Sequence, residues 1–312
     1  MSLAAGFGVV LRDLPSAPHE GDLLAAIMST KQWNASSLQV PLAALPGTSE
    51  TQSVRAIRSA LSDNNVQLSV SLGVLNAVFP ERNPALNVDL ASGLARAFGR
   101  MTALDIPVAH VTIGTLEDRF GESGGPAWPT QLRENREMLA RAAELAASVG
   151  VTLVLKTHEE MSTYEVADLV GAIDSPALRV GFSAVNVLTR LEDPAAAFER
   201  VWGLTHTVFI DDAVLERNPQ GFRRHLVEVG TGMVDWAAIR ESAAAAPQPI
   251  SFVIDLHRAE FEMPFYTPGW LAREPHVTVT ELASLFEASR STAPVLPSPD
   301  TRFAAAREFV LA

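Results

Sequence analysis

Val151–Glu160 reads VTLVLKTHEE: five residues of strand-forming character, then Lys156, Thr157, His158, Glu159 and Glu160 with no spacer. An apolar run of this length without alternation marks a strand covered on both faces, as in a parallel sheet. The pattern recurs downstream. Arg179–Phe182 discharges into Ser183-Ala184-Val185-Asn186, Thr207–Ile210 into Asp211-Asp212, and Ile250–Ile254 into Asp255-Leu256-His257-Arg258. Upstream, Gly6–Leu11, Leu38–Leu42, Val66–Leu72 and Val108–Ile113 are runs of the same kind.

Amphipathic helices fall between these runs. Asp89–Leu104 aligns Leu90, Leu94, Phe98, Met101 and Leu104, and Thr130–Val149 aligns Leu132, Leu139, Ala143, Ala146 and Val149, both at the helical period. Ser162 with Glu165 and Thr278 with Glu281 spell capping boxes, Asp193-Pro194 is a helix start, and a further helix is expected near Trp236–Ala245. Eight strand–helix units in 312 residues average about 39 residues each, which predicts an α/β fold of the (β/α)8 TIM barrel type. The rival is a doubly wound open sheet. Its glycine-rich turn after the first strand is missing, for Arg12-Asp13-Leu14-Pro15 stands there. The expected organisation is one barrel domain over residues 1–290. Residues 291–312 follow as a Pro-rich linker and a C-terminal helix, Arg302–Leu311, packing on the barrel as an edge cover or a contact in a homo-oligomer.

Composition narrows the function. With no cysteine, the chain has no disulfide scaffold, zinc–cysteine site or cysteine nucleophile. The balance of 24 basic against 36 acidic residues gives −12, and no basic cluster offsets it, so nucleic acid is not an expected partner. No apolar run reaches the ~18 residues of a membrane span, and MSLAAGFGVVLRD reads as a first strand rather than a signal peptide. A cytoplasmic protein acting on a small molecule is the expectation.

The stretches GVTLVLKTHEE, LRVGFSAVNVL followed by EDPAAAF, HTVFIDDAVL and VGTGMVDWAAI resemble the xylose isomerase-like barrels, a superfamily of sugar phosphate isomerases and epimerases. Gly230-Thr231-Gly232 followed by Asp235-Trp236 is similar to that family's Gly-x-Gly-x-x-Asp-Trp signature. The resemblance covers roughly residues 150–256. It implies a carbohydrate-metabolising isomerase or epimerase with one divalent cation held by a Glu after strand five, an Asp after strand six, a His on strand seven and a Glu after strand eight. Aligned to that pattern, this chain has Lys156, Ser183, Phe209 and, in uncertain register, Val253 or Asp255. Magnesium and manganese need oxygen or imidazole donors. No cofactor is therefore expected, and no metal at the usual site; a divalent cation fits only a rearranged set drawn from Asp211, Asp212, Asp255, His158 and His257. Lys156 takes a ligand's place. Its ammonium either supplies positive field for an enolate or, if deprotonated, forms a Schiff base.

The candidate catalytic residues are Lys156, His158, Asp211, Asp255 and His257; the candidate substrate-binding residues are Ser183, Asn186, Arg223, Arg224 and Trp128. Each has a plainer reading. Lys156 can pair with Glu159 or Glu160 on the surface, and His158 can be a loop histidine. In extended backbone only one of Asp211 and Asp212 faces the axis, leaving the other solvated or capping. Asp255 and His257 share strand parity and suit an acid/base pair or a structural one. Arg217, Arg223, Arg224 and His225 lie in an expected loop after strand seven that could clamp an anion. The loop Gly114–Pro129 suits a lid carrying Trp128. Trp33, Trp270 and Tyr266 could stack on a sugar or pack in the core, and His110 is assigned to the core. The leading expectation is an isomerase- or lyase-like enzyme for a small polyhydroxylated carbonyl compound, metal-independent, with Lys156 as positive pole. The alternative is an inactive member serving as a sugar-binding protein or partner subunit.

Overall fold

The computed structural model describes residues 6–15 and 22–312. Eight parallel strands form the barrel: β1 Gly8–Val10, β2 Ser37–Pro41, β3 Gln67–Val74, β4 Val108–Thr112, β5 Thr152–Lys156, β6 Leu178–Ser183, β7 Thr205–Ile210 and, after a hairpin, β10 Ser251–Ile254. They close in the order β1-β10-β7-β6-β5-β4-β3-β2. This is the (β/α)8 TIM barrel expected from the strand–helix alternation, and every expected strand lies within two residues of an observed one.

The hairpin is new. β8 Asp212–Asn218 and β9 Gly221–Val227 run antiparallel, and β11 Phe261–Met263 adds to β9, making a separate three-stranded sheet. The segment expected as a loop after strand seven is thus ordered sheet. The sequence carried the signals: β-compatible alternation on both sides of Asn218-Pro219-Gln220-Gly221, where Asn218 Oδ1 accepts the backbone N–H groups of Gln220 and Gly221, each at 2.9 Å.

Contacts group the chain into two compact units. Among the described residues, the first contains 6–15, 22–156 and 169–179. Its helix Leu90–Thr102 is capped by Asp89 and buries Leu94, Phe98 and Met101, and His110 is buried within β4 as assigned. The second contains 157–168 and 180–312. Its aromatic core joins Phe222 to Phe265 and Phe286 at 4.9 Å each. The C-terminal helix, Pro299–Leu311, packs here through Phe309 on Trp236, at 5.4 Å between ring centres. Capping follows the sequence: the Ser162–Glu165 box forms in both directions, and Asp193 caps Pro194–Val201. Thr278 caps Val279–Ala288, whereas the Glu281 carboxylate turns to Arg200 and to the backbone N–H of Asp193. Among the described residues no helix is long and apolar enough to cross a membrane.

Candidate active site

The polar cluster belongs to the second unit. The Thr157 hydroxyl accepts the backbone N–H of Ser183 (2.8 Å), and its carbonyl accepts the Asn186 side-chain amide (3.1 Å), tying the segment after β5 to the end of β6. The next three residues form a compact charge group. His158 Nε2 meets Glu159 Oε2 at 2.7 Å, and Nδ1 meets Glu160 Oε2 at 2.6 Å. Burial pulls the imidazole pKa down, but the Glu160 and Glu159 carboxylates outweigh it and raise the value to about 10. Burial pushes the Glu159 carboxyl up, yet the hydrogen bond and charge of His158, with His257 and Arg224 behind it, hold it well below the usual carboxylate range.

A second arrangement forms where β7 and β10 end. Asp211 Oδ2 accepts both the backbone N–H of His257 (2.8 Å) and its Nδ1 (3.1 Å). Arg302 Nη2 reaches Oδ1 at 2.5 Å and Oδ2 at 2.7 Å, while its Nη1 donates to the His257 carbonyl at 2.9 Å. Asp212 does different work. Its carboxylate accepts the backbone N–H groups of Ala213, Gly230, Gly232 and Val234. That explains the glycine signature: Gly230 sits at φ +87°, and a Cβ on Gly232 would lie 1.9 Å from Asp212 Oδ1. Both aspartates are buried, so neither is the solvated partner that strand parity allowed.

Arg224 is fully buried on β9. Its Nη1 donates to the Val185 carbonyl (2.8 Å) and Asn186 Oδ1 (3.2 Å), and its Nη2 to the Ala259 carbonyl (2.8 Å). Burial pulls its pKa down to about 10, which leaves it charged at neutral pH. Arg223, one residue earlier on the opposite face, is half-exposed between Glu260 and Glu262, and buried His225 lies between Glu216 (2.7 Å) and Glu260 (3.1 Å). Asp255 is buried just past β10, its N–H donating to Ile210.

Lys156 closes β5 in the first unit, half-buried. Trp128, also of the first unit, is buried at the start of Trp128–Ser148 with the Arg119 guanidinium 5.7 Å from its ring centre; part of the Gly114–Pro129 segment is the short helix Leu116–Arg119. In the second unit Trp270 is buried, with Arg190 5.8 Å from its ring centre, and Tyr266 is exposed. Sequence reasoning did not select Glu159, Glu160 or Arg302. The two glutamates were visible in the KTHEE run. Arg302 is 91 residues from Asp211, and no local pattern links them.

The donor set at the positions the resemblance assigns to a cation does not fit one. Across β6, β7 and β10 the register aligns Ser183 with Phe209 and Phe209 with Val253, a row of one hydroxyl and two hydrocarbons. The Ser183 hydroxyl is buried without a hydrogen-bond partner. Among the described residues, the group with ligand atoms close enough for an ion is His158, Glu159 and Glu160, within 4.8 Å of one another. There the imidazole itself lies between the two carboxylates.

A closed parallel barrel whose polar groups gather after the strand ends is the general architecture of the (β/α)8 barrels. The chain belongs to the xylose isomerase-like TIM barrel family, whose sequence model matches residues 31–268. Solved structures agree in fold. D-psicose 3-epimerase from Clostridium cellulolyticum, with D-tagatose, superposes at TM-score 0.64 and 13% identity over 91% of this chain and 96% of that one. L-ribulose 3-epimerase gives 0.62 and 13% over 98% and 93%. A xylose isomerase-like barrel protein from Mycobacterium smegmatis, in complex with magnesium, gives 0.61 and 13% over 91% and 99%. Among curated proteins, 3-oxo-isoapionate decarboxylase of Pectobacterium atrosepticum is 28% identical over 107 residues. That match spans 34% of this chain and 39% of the decarboxylase.

Proposed function

We propose that this protein is an isomerase- or lyase-like enzyme that moves a proton next to the carbonyl of a small polyhydroxylated compound, without a cation at the family's usual position. The observation that carries the reading is the buried Asp211–His257 pair. Ionised, Asp211 can only accept, so the His257 nitrogen facing it is the one that carries hydrogen. Neutral His257 then has its lone pair on Nε2, the form in which imidazole acts as a base. His158, kept protonated with both ring nitrogens on Glu159 and Glu160, contributes positive charge, and the proton that His257 takes up in the first step is the one it returns. The buried Arg224 adds positive potential that favours an enolate over its neutral parent.

The sugar epimerases of the same fold support a ketose-like substrate, and the decarboxylase match supports a 3-oxo acid as the other substrate class. In the second case an electron pair released by loss of carbon dioxide needs the same stabilisation as an enolate. Lys156 belongs to the proposal as the positive group in a ligand's place. Lys156→Ala is expected to fold normally and to lower kcat/KM by at least about tenfold; unchanged turnover would remove Lys156 from the account.

The row Ser183–Phe209–Val253 also favours a second reading, an inactive sugar-binding member of the family. A thermal-shift panel of ketoses, sugar phosphates and 3-oxo sugar acids, followed by NMR of each stabilising compound after incubation, separates the two. Conversion that His257→Gln abolishes supports the enzyme. Stabilisation without conversion supports the binding protein.

A further inference from the structure

The segment Ser291–Asp300 and the helix after it have the composition of a linker and a cover. The structure gives that helix a different task. Arg302, in the first turn of Pro299–Leu311, is itself buried, and its guanidinium spans two partners. One nitrogen lies on both oxygens of Asp211, and the other donates to the carbonyl of His257. Asp211 in turn accepts from the backbone and the ring of His257, and its Oδ1 also accepts the N–H of Asp212 at 3.0 Å. The carboxylate is thereby saturated and fixed, and the imidazole is fixed by it.

We infer that Arg302 is the positioning residue of this site: acting through Asp211, it fixes the orientation and tautomer of His257, so that the C-terminal helix is part of the catalytic apparatus. This rests on the reading of His257 as the proton-transfer group. Geometry favours a guanidinium over any other cation here. An ammonium is a point charge, whereas the planar fork can hold the carboxylate and the neighbouring carbonyl at once. The other helix residues that turn inward, Phe303, Ala306 and Val310, are apolar. The charged groups near His257 include Asp211 from the end of β7, which meets its ring, Arg302 from the C-terminal helix, which holds its carbonyl, and Glu159 from the segment after β5; Arg224 from β9 acts on both carboxylates.

The test needs no substrate, so it can fail independently of the proposed activity. Imidazole nitrogens are followed by NMR in full-length protein labelled at histidine, with His257 assigned by its loss in His257→Gln. In the unaltered protein, neutral His257 is expected as the Nδ1–H tautomer. Arg302→Gln removes a cation and leaves the Asp211 charge to the imidazole, so the His257 titration should move to higher pH. Arg302→Lys keeps charge but loses the fork, so it should move the titration less, in the same direction. If Arg302→Gln does not fold, Arg302→Lys carries the comparison. Phe303→Leu loosens the same helix and leaves Arg302, Asp211 and His257 themselves unaltered; it should lower the Tm and leave the titration in place. A His257 titration in the Arg302 variants that overlays the unaltered protein would overturn the inference. So would an equal shift in Phe303→Leu, because it would reduce Arg302 to a packing residue.

Discussion

His158 shows how much a single side chain can be changed by its neighbours. A histidine in a polar loop titrates near neutrality, but here both ring nitrogens face carboxylates, at 2.7 and 2.6 Å. The expected outcome is a His158 that holds its proton from pH 6 to 8, visible as an unchanging pair of protonated ring nitrogens in an NMR titration. The sign for stability follows. A raised folded-state pKa gives stabilisation that is fully present below the ordinary value of 6.5 and is lost as pH rises through about 10. Thermal melts of His158→Gln and the unaltered protein should therefore differ most below neutrality and converge in strong alkali. At this scale the sequence was only partly legible. KTHEE announced a charged strand end with Glu159 and Glu160 within reach of Lys156; what it did not announce is that both carboxylates meet His158.

Among the elements, the turn between β9 and the helix Trp236–Ala244 has the plainest chemistry. Four backbone N–H groups converge on Asp212, and the turn can close because residue 232 has no Cβ. Gly232→Ala should cost about 1–3 kcal/mol from the overlap with Asp212 Oδ1 and the Ala213 carbonyl. Differential scanning calorimetry would register this as a Tm lower by several degrees. The strands and helix starts were readable because apolar runs and caps are local signals. The β8–β9 hairpin was readable in principle, from the Asn-Pro-Gln-Gly turn and the flanking alternation. Arg223, Arg224 and His225 mask it, because three consecutive polar residues read as a solvated loop. In the sheet they alternate: Arg224 goes inward to carbonyl oxygens, and Arg223 outward to glutamates.

For the whole molecule, the barrel was legible from the spacing of its runs, and the family from its glycine signature. The connection between the C-terminal helix and the end of β7 was not, since it depends on a tertiary contact between residues 211 and 302. The same scale holds the most consequential departure from the family, the row Ser183–Phe209–Val253. Two hydrocarbons in that row offer a divalent cation nothing to bind. Elemental analysis of protein purified without chelator should therefore find no stoichiometric divalent metal. The activity, once a substrate is found, should survive treatment with EDTA.

The most direct test is solvent deuterium exchange. Ketoses and 3-oxo sugar acids would be incubated in D2O containing EDTA with the unaltered protein and with His257→Gln, and label at the carbon next to the carbonyl read by NMR. The account predicts that at least one compound gains deuterium with the unaltered protein and none does with His257→Gln. Exchange that EDTA abolishes, or that persists without the His257 imidazole, would contradict it.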